Sequence, residues 1–130
     1  MVIDCHIEDV FDYVADPLND PAWRPAVLVV HQVEGDGPGP GARYELLQRS
    51  LRWRPPRPTV VRCVAWDRPD RIAWRWEAGD DIVQVGYRLE PVWTATRLTQ
   101  HVEGRALTRA TARRAEGQLR TLRRLLERAR

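Results

Sequence analysis

The sequence predicts an α+β domain in which a curved antiparallel sheet wraps one long C-terminal helix. Three observations carry this. From Tyr44 to Glu103, apolar residues recur at every second position in segments separated by short turns, the pattern of a meander with one covered face. From Leu107 to Ala129 the period becomes that of a helix. Ahead of the first long strand, prolines cut the chain into two short helical pieces. At 130 residues the whole chain is expected to form one domain.

In "IEDVFDYV", residues 7 to 14, Ile7, Val10, Phe11 and Val14 share one helical face. Asp16-Pro17 stops that helix, because the residue before a proline is pushed out of the α region. Asn19 or Asp20 then caps a second short helix with Pro21 in its first turn, Trp23 on it and Pro25 after it.

The β-branched run "AVLVVHQVE" (26 to 34) follows as a strand. "GDGPGPG" (35 to 41) is a connection rather than a phosphate loop, since no GK[ST] opens a helix after it. Tyr44, Leu46 and Gln48 then alternate inward. In "TVVRCVAWD" (59 to 67) no single inward face can be chosen. After the "DRPD" turn, Ile72, Trp74 and Trp76 face one way. "GDD" makes a hairpin turn, after which Val83, Val85, Tyr87 and Leu89 face inward. Thr96, Leu98, Gln100 and Val102 do the same in the last strand.

The final helix is long enough, at roughly 35 Å, to cross a whole sheet. Leu107, Thr111, Ala115, Gln118, Leu119, Leu122, Leu125, Leu126 and Ala129 form its apolar side. Gly117 within it predicts close approach to a neighbouring element. Since the sheet must cover its apolar face and this is the one long amphipathic element, the sheet is expected to wrap it.

Composition excludes several classes. Hydrophobic residues at 43% and charged residues at 30% fit a globular domain rather than a disordered chain. No apolar run approaches the roughly 20 residues needed to span a bilayer, and no secretory leader is recognisable, so a cytoplasmic protein without stable membrane insertion is expected. Net charge is +3, and all 21 basic residues are arginine. Acidic residues are interspersed among them instead of leaving a basic stripe, so no nucleic-acid partner is expected. Cys5 and Cys63 match neither a zinc site nor a redox pair and read as buried free thiols.

Several stretches resemble the START-like (SRPBCC) helix-grip superfamily of polyketide cyclase/dehydrase and lipid-transport-like proteins. "IEDVFDYVADPLNDPAW" is similar to its N-terminal helix pair, "GPGARYEL" to its glycine lead-in to the third strand, and "WDRPDRIAWRW" to its fourth-to-fifth strand turn. "YRLEPVWTATRLTQ" is similar to its sixth and seventh strands and "RRAEGQLRTLRRLLE" to its gripping helix. The resemblance spans nearly the whole chain and implies about seven strands in the order β-α-α-β6-α. Two departures stand out: the first strand that the resemblance implies has only about six residues, Met1 to His6, and "VWTATRLT" lacks the glycines usual in the sixth-to-seventh strand turn.

The resemblance further implies a pocket between sheet and C-terminal helix, which turns the inward faces into a lining. The candidate ligand-binding residues are then Phe11, Trp23, Tyr44, Gln48, Trp74, Trp76, Tyr87, Gln100, Thr111 and Gln118. This mixture of aromatic groups and a few polar ones is usual for small-molecule sites of about 300 to 1,000 Å³. Gln118 falls mid-way along the helix's apolar side and must find a partner, whether ligand, water or Gln100. Trp74 and Trp76 form an aromatic wall or simply fill the core, and Trp23 is either a rim residue or a packing one.

Signals for catalysis are weak. His6, His31 and His101 are far apart and fit no metal spacing, and Ser50 is the one serine. Neither a metal nor another cofactor is expected. Acid–base work would fall to Tyr44, Tyr87 or Arg114. The leading expectation is binding or transport of a small hydrophobic molecule, aromatic, polyketide-like or lipid-like. A polyketide cyclase or dehydratase with tyrosine and arginine donors is the alternative, and a protein-interaction domain using the convex sheet face is a third. Monomer and homodimer are both open.

Overall fold

The computed structural model describes residues 1–49, 55–104 and 109–129, with the side chains of residues 109–112 outside that description. Seven strands form one sheet: β1 (Val2–Ile3), β2 (Val27–Glu34), β3 (Arg43–Gln48), β4 (Arg57–Asp67), β5 (Arg71–Ala78), β6 (Asp81–Val92) and β7 (Ala95–Gly104). Helices α1 (Ile7–Val14) and α2 (Asp20–Trp23) stand between β1 and β2, and α3 (Arg109–Ala129) follows β7. The order across the sheet is β1-β7-β6-β5-β4-β3-β2, and every pairing is antiparallel. The α+β class and the meander are as the alternation predicts.

The first strand is shorter than expected. Val2 and Ile3 pair with β7, opposite Arg97 and Thr96, and Met1 ahead of them exchanges hydrogen bonds with Leu98. The next backbone groups find partners outside the sheet: the Asp4 N–H donates to Glu127 Oε2 at 2.8 Å, and the Cys5 carbonyl accepts from Thr96 Oγ1 at 2.8 Å. With those groups satisfied, the chain is free to turn into α1.

Glu8 and Asp9 sit in the first turn of α1, where carboxylates favour the helix dipole, and Val10, Phe11 and Val14 are buried. Asp16 caps a 3₁₀ turn, Pro17–Asn19, by accepting from the Leu18 N–H at 3.1 Å. A single turn, α2, follows with Pro21 near its start. Asn19 precedes it, but its side chain donates back to the Tyr13 carbonyl at 3.0 Å instead of capping.

The face of β4 that alternation leaves open has a physical cause. The register slips between Cys63, opposite Trp74, and Ala65, opposite Ala73. One bulged residue reverses the parity. Thr59 and Val61 are buried ahead of the bulge, and Trp66 packs against the core beyond it, while Val64 is exposed. Cys63 and Cys5 are half-buried rather than fully buried.

Two hairpins close with two-residue turns. Ala78 faces Asp81 across Gly79 and Asp80, with Gly79 at φ +61°, a conformation glycine adopts without penalty. Val92 faces Ala95 across Trp93 and Thr94, and here Trp93 takes φ +57° with its side chain 99% exposed. The missing glycine in "VWTATRLT" thus leaves the hairpin register unbroken and moves the left-handed conformation onto a tryptophan.

The core divides along the axis of α3. At one end Phe11 meets Trp66 edge-to-face at 5.0 Å, Tyr44 meets Trp74 at 5.9 Å, and Leu122 and Leu126 belong to the same buried cluster. Towards the N-terminal half of α3 the inward positions are Ala115, Gly117 and Gln118, all only partly buried. Small and polar side chains on that half leave space above the sheet.

Candidate functional site

That space is a cavity of about 290 Å³ between the concave sheet face and α3. Val83, Val85 and Val102 from β6 and β7, with Ala115 of α3, supply an apolar wall, and Trp76 of β5 adds an indole. Gln48, Gln100 and Gln118 are its amides. Beside the β5–β6 turn it is lined by the exposed Arg57 and Asp81, which pair at 2.9 Å.

Arg24 is the buried charged group in the wall, and sequence reasoning passed over it. It is 8% exposed, just beyond α2, and its guanidinium lies 4.1 Å from the Trp23 ring centre and 5.3 Å from that of Trp76. Nη1 donates to Gln118 Oε1 at 3.3 Å and Nη2 donates to the Tyr87 hydroxyl. Nε stands 3.6 Å from the carboxylate of Asp20, one helical turn earlier. Two aromatic faces, two acceptors and one counter-charge therefore fix the guanidinium in place. A signal was present: "DPAWR" puts Asp and Arg four apart around a tryptophan at a helix end.

Asp20 is 5% exposed. Burial pushes its pKa up to about 7, against the downward pull of Arg24 and with a further upward push from Asp16. Burial also raises the Tyr87 phenol to about 12, although Arg24 opposes it. Tyr44 is raised to about 12 by burial, with Asp16, Cys63 and Asp20 adding to it. Both tyrosines are thus neutral phenols.

The predicted residues separate into two groups. Gln48, Trp76, Gln100 and Gln118 come together around the cavity. Gln48 Nε2 donates to Thr59 Oγ1 at 2.9 Å, whereas Gln100 Oε1 and Trp76 Nε1 are buried with no hydrogen-bond partner among the described residues. The partner of Gln118 is Arg24 rather than Gln100.

Phe11, Tyr44 and Trp74 lie instead in the filled end of the core, at 0%, 0% and 4% exposure, and Tyr87 is closed off beneath Arg24. Trp23 is not at a rim: it is 1% exposed, covered by Arg24 and set edge-on to Tyr87 at 6.3 Å. The helical corner points its indole inward because Arg24, next in sequence, takes the cavity side. Leu107 and the Thr111 side chain lie outside the described residues.

The histidines stand away from the site. His6 and His101 are exposed, and His31 is exposed with Nε2 3.6 Å from Glu45. Among the described residues, no helix is long and apolar enough to cross a membrane.

Comparison with known proteins gives the fold a family. A search of curated proteins gave no match. Among solved structures, the chain is similar over 99% of its length to the di-domain ARO/CYC StfQ from the steffimycin biosynthetic pathway, at 13% identity and a TM-score of 0.80, spanning 44% of that chain. It is similar to TTHA0849 from Thermus thermophilus at 14% identity and a TM-score of 0.76, covering 99% of this chain and 94% of that one. Ara h 8.0201 is similar at 15% identity and a TM-score of 0.74, with 97% and 93% covered. At such identities these likenesses speak for the fold alone. Residues 1–127 match the family described as polyketide cyclase / dehydrase and lipid transport. The chain therefore belongs to the polyketide cyclase/dehydrase and lipid transport family, whose helix-grip fold implies a cavity for a hydrophobic ligand.

Proposed function

We propose that this protein binds or carries a small hydrophobic molecule, aromatic, polyketide-like or lipid-like, in the cavity between the sheet and α3. One observation supports this most: Val83, Val85, Val102, Ala115 and the Trp76 indole surround about 290 Å³ of space with Gln48, Gln100 and Gln118 set among them. An apolar ligand body with one or two polar groups would cover the valines while meeting those amides.

The test is a panel of hydrophobic compounds read by melting temperature and by tryptophan fluorescence. A ligand at a hundred times its Kd adds about 2.7 kcal/mol to stability, a rise of several degrees. Quenching should shrink in Trp76→Phe, because that indole lines the cavity. If no compound in a broad panel moves either signal, the reading is wrong.

A cyclase or dehydratase is the second reading, and the fixed guanidinium of Arg24 is the observation in its favour. A preorganised donor in a water-poor wall polarises a carbonyl, as an aldol-type ring closure needs. Tyr44 and Tyr87 do not line the cavity, so this reading rests on Arg24 and Arg114. The ARO/CYC description of StfQ lends it analogy. Cyclisation of a linear poly-β-ketone thioester is expected to fall in Arg24→Gln and Arg114→Gln, and turnover surviving the double substitution removes this reading.

A further inference from the structure

A second cleft, of about 630 Å³, lies where the start of β2 meets the middle of α3. It shares Ala26, Arg114 and Gln118 with the interior cavity, so the two hollows meet at those residues. Pro25, Leu28 and Gly117 give the cleft an apolar lining.

Gly117 is informative here. Glycine is the least favourable residue but proline for a helix interior. Contrary to the sequence expectation, no neighbouring element among the described residues presses on it: of these, a Cβ at this position would meet only Arg120 Nη2, at 3.9 Å. The absent side chain contributes open volume to the cleft, not close backbone approach.

The charge at the cleft is one-sided. Arg49 and Arg114 line it, both exposed, and neither guanidinium has an ion pair or hydrogen bond among the described residues. Among the described residues no carboxylate lines it with them. The other two arginines of the interior cavity differ, Arg24 facing Asp20 and Arg57 facing Asp81. An unpaired guanidinium beside an apolar surface matches a carboxylate, which it can hold through two parallel hydrogen bonds.

We infer that the cleft takes the anionic head of an amphipathic ligand, a carboxylate held by Arg49 and Arg114, while the apolar body reaches past Gln118 into the interior cavity. The inference rests on the ligand-binding reading above and adds the ligand's charge and direction.

Two matched pairs test it, decanoate against decanol and 2-naphthoate against 2-naphthalenemethanol, by calorimetric titration near neutral pH and low salt. The acid of each pair is expected to bind about tenfold tighter than its alcohol. That preference should fall to about twofold or less in the Arg49→Gln/Arg114→Gln variant and shrink as salt rises. Both arginines are exposed, so the variant should melt as the parent does. Gly117→Leu, which fills the cleft while keeping both arginines, should weaken the acids more than the alcohols. Equal affinity of acid and alcohol, or a preference that survives the double substitution, overturns the cleft assignment and leaves the cavity reading standing. Failure of all four compounds and of the wider panel overturns both.

Discussion

The two ends of the space beneath α3 are built from the same strands and differ in what the helix brings to them. At the filled end, Leu122 and Leu126 join the cluster that holds Phe11, Tyr44 and Trp74. At the hollow end, Ala115 and Gln118 face valines and amides across about 290 Å³. Sheet alternation alone does not distinguish the ends: Trp74 and Trp76 are two residues apart on one face of β5, yet one is 4% exposed in the core and the other lines the cavity. The helix side-chain volumes decide where the interior closes. Stability is therefore concentrated at one end and binding capacity at the other.

The largest expected effect follows directly. Leu122 is fully buried, and Leu122→Ala should cost about 2 to 5 kcal/mol, the range for leucine truncation in a filled core. Val102→Ala, at the hollow end, should cost well under about 1.5 kcal/mol, because Val102 is only partly buried and faces open space. Denaturant unfolding of both variants measures the contrast. Equal losses would mean that the hollow end is closed in solution.

This division was only half legible in the sequence. Alternation gave the inward residues of β3, β5, β6 and β7, and helical period gave α3, because those patterns follow from backbone geometry alone. Where a bulge intervened, at Cys63 to Ala65, the pattern failed for the reason that makes it work elsewhere: one extra residue exchanges the faces. At the site, the inward amides Gln48, Gln100 and Gln118 were legible as polar residues on apolar faces. Arg24 was not, because a cation following a one-turn helix has no periodic face to be assigned to. Its burial depends on Tyr87 and Gln118, 63 and 94 residues further along the chain. The inward turn of Trp23 follows from the same placement.

Asp20 and Arg24 stand at the boundary between the ends, and pH should expose their cost. The Asp20 carboxyl is raised from 3.8 to about 7, so the folded protein keeps a proton that the unfolded chain releases near pH 4. Stability from this group is fully present below about pH 4 and is lost as pH rises to about 7, by up to a few kcal/mol. Asp20→Asn carries no such proton. The stability difference between parent and variant should therefore move against the parent from about pH 4 to 7 and level off above. Parallel profiles across that window would show that the carboxylate is not enclosed as the structure places it.

The smallest effect probes the hollow end from the helix itself. Alanine is favoured over glycine in a helix interior by about 0.8 to 1 kcal/mol, and at position 117 the added methyl would meet only the far end of Arg120. Gly117→Ala should thus stabilise the protein by about 0.5 to 1 kcal/mol, a rise of a few degrees in melting temperature. The same methyl enters the cleft beside Pro25 and Leu28, so any carboxylate ligand should bind somewhat more weakly as the protein becomes more stable. Opposite signs for stability and affinity at one residue are what a helix kept open for a ligand predicts. A methyl that destabilises would instead mean that α3 sits closer to β2 than a gap of this size allows, and the contrast between the two ends would be lost.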